Sequence, residues 1–266
     1  MVQYFQVANA PKKGEKMNEF SVYAYCGFDL TAEERFKKIK EAGFDKTAVW
    51  CHTDFNTNSG ISEYEQFKYL REQGLKLSYA HCPIKYAPYL ANKYYGAKEA
   101  VKTHKIYVKG AKEQGVEIVV AHLPEVTPAV IDNVGEIAEF AAGQGVKLAF
   151  ENLVGDKPFD ELFRAVKDAY FCYDTCHALM FGDEDGQMAE RYADRLIATH
   201  LSDGDGKKDC HFMLGKGVFN FSALAEKLKK IGYAGDFTLE AFQTPEYTDI
   251  SDFLSDGKAR LEQIFG

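Results

Sequence analysis

Short apolar runs rich in β-branched and aromatic residues recur along this chain: FSVYAY (20–25), KTAVWC (46–51), LKLSYA (75–80), EIVVAH (117–122), VKLAFE (146–151), YFCYDT (170–175), LIATHL (196–201) and DFTLEA (236–241). Their length and near-continuous apolarity predict strands buried on both faces, as in a parallel sheet. Helical patterns fill the gaps. TAEERFKKIKEAG (31–43) opens with a Thr cap, carries Glu three residues later and closes on Gly, the signature of a capped amphipathic helix. ISEYEQFKYLREQG (61–74) repeats the form with Ser62, Gln66 and Gly74. Further helices are predicted over 98–115, 128–145, 158–169, 186–193, 221–232 and 249–265. Eight strands alternating with eight helices predict one (β/α)8 barrel over residues 17–266. Residues 1–16 show no period and are expected to be an N-terminal arm. No G-x-G-x-x-G follows an early strand, so an open dinucleotide-binding sheet lacks its fingerprint.

Composition narrows the picture. The chain has 266 residues, 46% of them hydrophobic, enough for a sizeable single core. No apolar run approaches the roughly 18–20 residues of a membrane span, and no signal peptide is recognisable, so a cytoplasmic protein without a membrane partner is expected. The formal charge of −8 disfavours nucleic acid, whose binding rests on Lys and Arg against phosphate. Six cysteines without a C-x-x-C pair read as reduced thiols in the core or lining a site.

The chemistry gathers at the strand ends. In such a barrel the C-terminal ends of the strands converge on one mouth. His52 follows strand 2, His81 strand 3, and His122 ends strand 4. Glu151 ends strand 5, Asp174 lies in strand 6 with His177 three residues on, His200 lies in strand 7, and Glu240 ends strand 8. The loop after strand 7, HLSDGDGKKDCH, adds Asp209 and His211 on a glycine-flexed segment. Carboxylates at the ends of apolar strands would be costly if left without a counter-charge. Together with imidazoles they suit Zn²⁺, Mn²⁺, Co²⁺ or Fe²⁺. The ordinary alternative for each histidine alone is a hydrogen-bonded structural group. Asp203 and Asp205 read as solvated turn residues, Asn152 as a partner that orients Glu151, and His104 as a helix-surface residue. Lys216, between two glycines, reads either as part of an anion-approaching turn or as an ordinary one. Trp50 and the tyrosines of 85–95 are expected either in a sugar-stacking wall or in packing.

These residues resemble the xylose-isomerase-like barrel superfamily, which holds sugar isomerases and epimerases as well as endonuclease IV. The stretches that carry the resemblance are FEN (150–152), YDTCHA (173–178), HLSD (200–203), DCHFMLGKG (209–217) and IGYAGDFTLE (231–240). The resemblance to the ketose 3-epimerases implies one divalent metal held by Glu151, Asp174, His200 and Glu240. It further implies that Glu151 and Glu240 act as acid and base around a metal-stabilised enediolate of a sugar or sugar phosphate. His52, His177, His211 and Lys216 are then the substrate-binding candidates. The resemblance to endonuclease IV implies up to three ions, with His81, His122, His177, Asp209 and His211 as further ligands, and hydrolysis at abasic DNA. A dehydratase of a polyol or keto acid, or a sugar-sensing barrel without turnover, also fits the residues. His211 stands where the epimerases usually carry Arg. The chain has D-C-H where endonuclease IV has D-R-H, and its six arginines fall on predicted helices or at the start of strand 7, away from the top loops where a duplex would be gripped. A small-molecule substrate, rather than nucleic acid, is therefore expected. Barrels of this kind often pair, so a homodimer is an expectation.

Overall fold

The computed structural model describes residues 19–51, 65–92 and 95–266. The expected N-terminal arm and His52 lie outside the described residues. Eight parallel strands run in the order β7-β6-β5-β4-β3-β2-β1-β8. They are β1 (Phe20–Tyr23), β2 (Lys46–Trp50), β3 (Lys76–His81), β4 (Ile118–His122), β5 (Lys147–Glu151), β6 (Ala169–Asp174), β7 (Leu196–His200) and β8 (Phe237–Leu239). A parallel bridge between Leu201 and Leu239 joins the two ends of that order. There Leu201 N–H donates to the Thr238 carbonyl at 2.8 Å and Glu240 N–H to the Leu201 carbonyl at 2.9 Å. The sheet thus closes into the expected barrel.

Helices cover its outside: α1 (Ala32–Glu41), α2 (Gln66–Glu72), α3 (Tyr95–Glu113), α4 (Pro128–Gly143), α5 (Lys157–Ala165), α6 (Thr175–Met180), α7 (Gln187–Arg191), α8 (Phe221–Lys230) and α9 (Ile250–Phe265). The predicted capping box of α1 is present, with Glu34 N–H donating to Thr31 Oγ1 at 3.2 Å and Thr31 N–H to Glu34 Oε2 at 3.1 Å. These bonds satisfy donors that a helix start leaves free. The Ser62 start of the second predicted helix lies outside the described residues. The tyrosine-rich stretch folds as a 3-10 helix, Ile84–Ala91. Among the described residues no helix is long and apolar enough to cross a membrane.

Two apolar layers result. Between strands and helices lies the larger one, with Phe36, Phe67, Phe150, Phe159, Phe171 and Phe253 fully buried. Inside the barrel, Tyr23, Ala48, Tyr79, Val120, Ala149, Cys172 and Ala198 pack together. The alternation of large and small residues fills the interior, so the barrel is a plugged core with its chemistry at one end. None of the six cysteines forms a disulfide, and five of them are buried.

His104 departs from the sequence reading. It is buried, and its Nδ1 donates to the Ala100 carbonyl at 2.7 Å. The reason is helical period. Ala97, Ala100, Val101, His104, Val108 and Ala111 form one buried stripe of α3.

Candidate active site at the barrel mouth

Register sets the site. His122 is paired with Glu151 across β4 and β5, and Asp174 with His200 across β6 and β7. Glu240 follows β8 directly and His81 ends β3. These strand ends lie at one level, so residues distant in sequence meet. Short α6 begins immediately after β6 and was not anticipated. Asp174 caps it, its Oδ1 accepting from the His177 N–H at 2.7 Å. That cap turns His177 toward Glu151, with Nδ1 2.7 Å from Oε1.

Glu151 is the hub. Its Oε2 lies 3.1 Å from His81 Nε2, 3.3 Å from His122 Nε2 and 3.5 Å from His200 Nδ1. His200 Nδ1 also lies 2.8 Å from Glu240 Oε2 and 3.7 Å from Asp174 Oδ2. On the far side His177 Nε2 stands 3.4 Å from Asp209 Oδ2, and His211 Nε2 stands 2.9 Å from Asp209 Oδ1. Three groups emerge whose ligand atoms lie within 4.8 Å of one another: His81–His122–Glu151, Glu151–Asp174–His200–Glu240 and His177–Asp209–His211.

The supporting contacts fix orientation. His81 Nδ1–H donates to the Cys82 carbonyl at 2.6 Å. The His200 ring stacks on Tyr79 at 5.4 Å and meets Tyr23 edge-on at 5.4 Å. Tyr79 shares the inward side of β3 with His81, two residues away, a period-2 signal that the sequence carried but that pointed only to packing. The Asn152 side chain brackets the Asp174 peptide: its Nδ2 donates to the Asp174 carbonyl at 2.8 Å and its Oδ1 accepts from Asp174 N–H at 2.7 Å. Asn152 therefore orients Asp174, where the sequence suggested Glu151. Asp203 is fully buried rather than solvated, because backbone N–H groups of its own loop converge on it. Asp205 is a turn residue as expected, accepting from Lys207 N–H at 2.9 Å. Lys216 is exposed, pairs with Glu246 at 2.9 Å and belongs to none of the three groups.

Electrostatics follow from burial among mixed charges. Burial alone would raise Glu151, but His200, His122 and His177 outweigh it and hold its carboxyl well below the usual range. Glu240 is likewise lowered, by His200 and His211 against burial. Burial, with Glu151 and Glu240 adding, pushes Asp174 up to about 6. Burial works against charging His177, yet Asp174 and Glu151 push it up to about 12. His211 is pushed up to about 9 against burial, by Asp209, Glu240 and Asp174. Burial pulls His81 down.

The donor set fits a divalent cation. Asp174 Oδ2, His177 Nδ1, His200 Nδ1 and Glu240 Oε2 are buried polar atoms with no hydrogen-bond partner, although oppositely charged groups stand close by. Buried polar atoms are ordinarily paired. A neutral His81, its Nδ1–H given to Cys82, turns a lone pair at Nε2 toward the Glu151 carboxylate. Two acceptors face to face are what a cation bridges, and an imidazole whose other nitrogen donates to a carbonyl is the usual form of a metal ligand.

The sequence model of the xylose isomerase-like TIM barrel family matches residues 36–257. The chain belongs to that family. An uncharacterized protein of Methanocaldococcus jannaschii is 29% identical over 252 residues, covering 84% of this chain and 83% of that protein. Fructoselysine 3-epimerase of Shigella flexneri is 24% identical over 252 residues, covering 81% of this chain and 87% of the enzyme. Among solved structures, the D-allulose 3-epimerase of a Methylomonas species in complex with D-allulose superposes with a TM-score of 0.77, at 15% identity, over 94% of this chain and 98% of that one. At that identity the structural likeness is one of fold. Family membership thus agrees with the barrel.

Proposed function

We propose that the protein is a divalent-metal-dependent isomerase or epimerase of a small sugar. The observation that carries this reading is the buried set Glu151, Asp174, His200 and Glu240, four ligand-bearing side chains from four consecutive strands, with Asp174 Oδ2 and Glu240 Oε2 making no hydrogen bond and, among the described residues, only His200 beside them. These four residues would hold the ion. When bound, a divalent cation supplies Lewis-acid polarisation of a carbonyl and its neighbouring hydroxyl. The chain supplies the proton chemistry. Glu151 and Glu240 flank His200, at 3.5 and 2.8 Å. Both are held ionised by the surrounding imidazoles, so one can take the proton from the carbon beside a ketose carbonyl. The other, once it has taken up a proton from solvent, delivers that proton from its own side, which inverts the carbon; delivery to the former carbonyl carbon instead gives isomerisation. The relative from Shigella flexneri whose name states a 3-epimerase activity supports this reading, because it aligns over most of both chains.

Incubation of a ketohexose with the protein in D2O tests it. The account expects deuterium at one carbon next to the carbonyl, and a fall of about 100- to 10,000-fold for Glu151→Gln and for Glu240→Gln. No wash-in with any ketose tried, free or phosphorylated, would contradict it.

One observation favours a second reading. His81, His122, His177, Asp209 and His211 join the four to make three groups that meet at Glu151 and around His177. That number of ligands exceeds what one ion needs and suits phosphodiester hydrolysis by up to three ions. Cleavage of abasic-site DNA, with strong dependence on salt, would select it.

A further inference from the structure

Asp203 closes the segment HLSD that leaves β7, and its environment is unusual for a loop residue. Its side chain is fully buried. Oδ1 accepts from Gly204 N–H at 2.9 Å and Phe219 N–H at 3.0 Å. Oδ2 accepts from Gly215 N–H at 3.0 Å and Gly217 N–H at 2.8 Å. The Asp203 backbone exchanges two further bonds with Phe212, each 2.8 Å. One residue therefore ties both ends and the middle of the connection between β7 and α8. The fit leaves no slack at Gly217, where an added Cβ would overlap the Gly204 carbonyl oxygen and Asp203 Oδ1.

What this cradle holds is the pair Asp209 and His211. His211 is the non-glycine residue with positive φ, 46°, among the described residues. Such a conformation is unfavourable for an L residue and persists where the surroundings over-determine it. The surroundings are visible. Phe212, the next residue, is clamped to Asp203. Phe242 N–H donates to the His211 carbonyl at 2.8 Å, and the His211 ring lies 4.7 Å from the Phe242 ring. Its Nδ1 donates to the Glu240 carbonyl at 3.0 Å, which leaves Nε2 facing Asp209.

We propose that Asp203 is a positioning residue whose carboxylate, by binding four loop N–H groups, delivers Asp209 and His211 to His177 and so sets the binding strength of that group. The proposal rests on the second reading above, in which an ion is also held at His177–Asp209–His211. Loss of Asp203 or crowding at Gly217 then weakens binding at His177–Asp209–His211 and spares the four residues carried by strand ends.

The test compares wild type with Asp203→Asn, Asp203→Ala and Gly217→Ala, and with Asp205→Ala as a control in the same loop. Two readouts are used: Co²⁺ titration followed by its visible absorption, and amide hydrogen exchange over 204–219. Asp203→Ala and Gly217→Ala are expected to speed exchange there and to weaken by about 10- to 100-fold the Co²⁺ component bound through this group, the scale seen when a partner behind a ligand is lost. Asp203→Asn, which keeps one acceptor oxygen, falls between, and Asp205→Ala behaves as wild type. Where Asp203→Ala does not fold, Gly217→Ala and Asp203→Asn carry the comparison. Unchanged Co²⁺ spectra and affinity in these variants, with wild type binding normally, overturn the proposal alone, whatever the exchange shows. A wild-type protein that takes up no Co²⁺ overturns the metal reading and this proposal with it.

Discussion

Asp174 serves two ends with one carboxylate. Oδ1 caps α6 and so aims His177, while Oδ2 stays buried and unpartnered beside His200. Its peptide is bracketed by the Asn152 side chain from the neighbouring strand end. Asn152→Ala is therefore expected to lower metal affinity by about 10- to 100-fold without touching a ligand, as isothermal titration would show; wild-type affinity would refute this role. Protonation gives a second test at this scale. The His211 pKa is raised to about 9 and that of His177 to about 12, against an ordinary imidazole value of about 6.5. A raised folded-state pKa stabilises fully below the unfolded value and loses that stability as pH climbs toward the folded one. Asp174, raised to about 6, has largely titrated before this window, and the lowered Glu151, Glu240 and Asp209 stay ionised through it. Metal-stripped protein should lose thermal stability between about pH 6.5 and 9 by this linkage. Calorimetry checks it, and a melting temperature that rises across that range would contradict it.

At the scale of elements, strand ends were readable because period and residue type coincide there: an apolar run that stops on Glu151, His122 or Glu240 declares both its direction and its chemistry. Helix α6 was not readable, being short and capped by Asp174, a residue whose ligand character masked its capping role. Asn152 and Asp203 were misread for a related reason. Their roles depend on which backbone N–H groups a loop turns inward, and no side-chain pattern records that. His104 was misread as well, as a helix-surface residue, although the stripe of α3 that contains it has the helical period that predicts burial. Helix starts away from the mouth should matter to stability only. Thr127 caps α4 through Val130 N–H at 3.3 Å, ahead of Pro128. Thr127→Ala is expected to cost about 1 kcal/mol in urea unfolding and to leave metal binding unchanged; a loss of metal would show that α4 contributes to the mouth.

For the molecule as a whole, closure is what makes the site. The bridge between Leu201 and Leu239 brings β7 beside β8 and so His200 beside Glu240, 40 residues apart in the chain by their numbering. An open sheet would leave the two glutamates at separate strand ends. The same closure buries the charges, and burial is why a cation suits them: a buried carboxylate left without one is costly. Elemental analysis of protein purified without chelator or affinity metal, set beside an Asp174→Asn, His200→Ala double variant, tests this most directly. The account expects at least one equivalent of Zn, Mn, Co or Fe per wild-type chain and a clear loss in the double variant. Wild-type protein that carries no transition metal, and takes none up after dialysis against Mn²⁺, Co²⁺ or Zn²⁺, would contradict it.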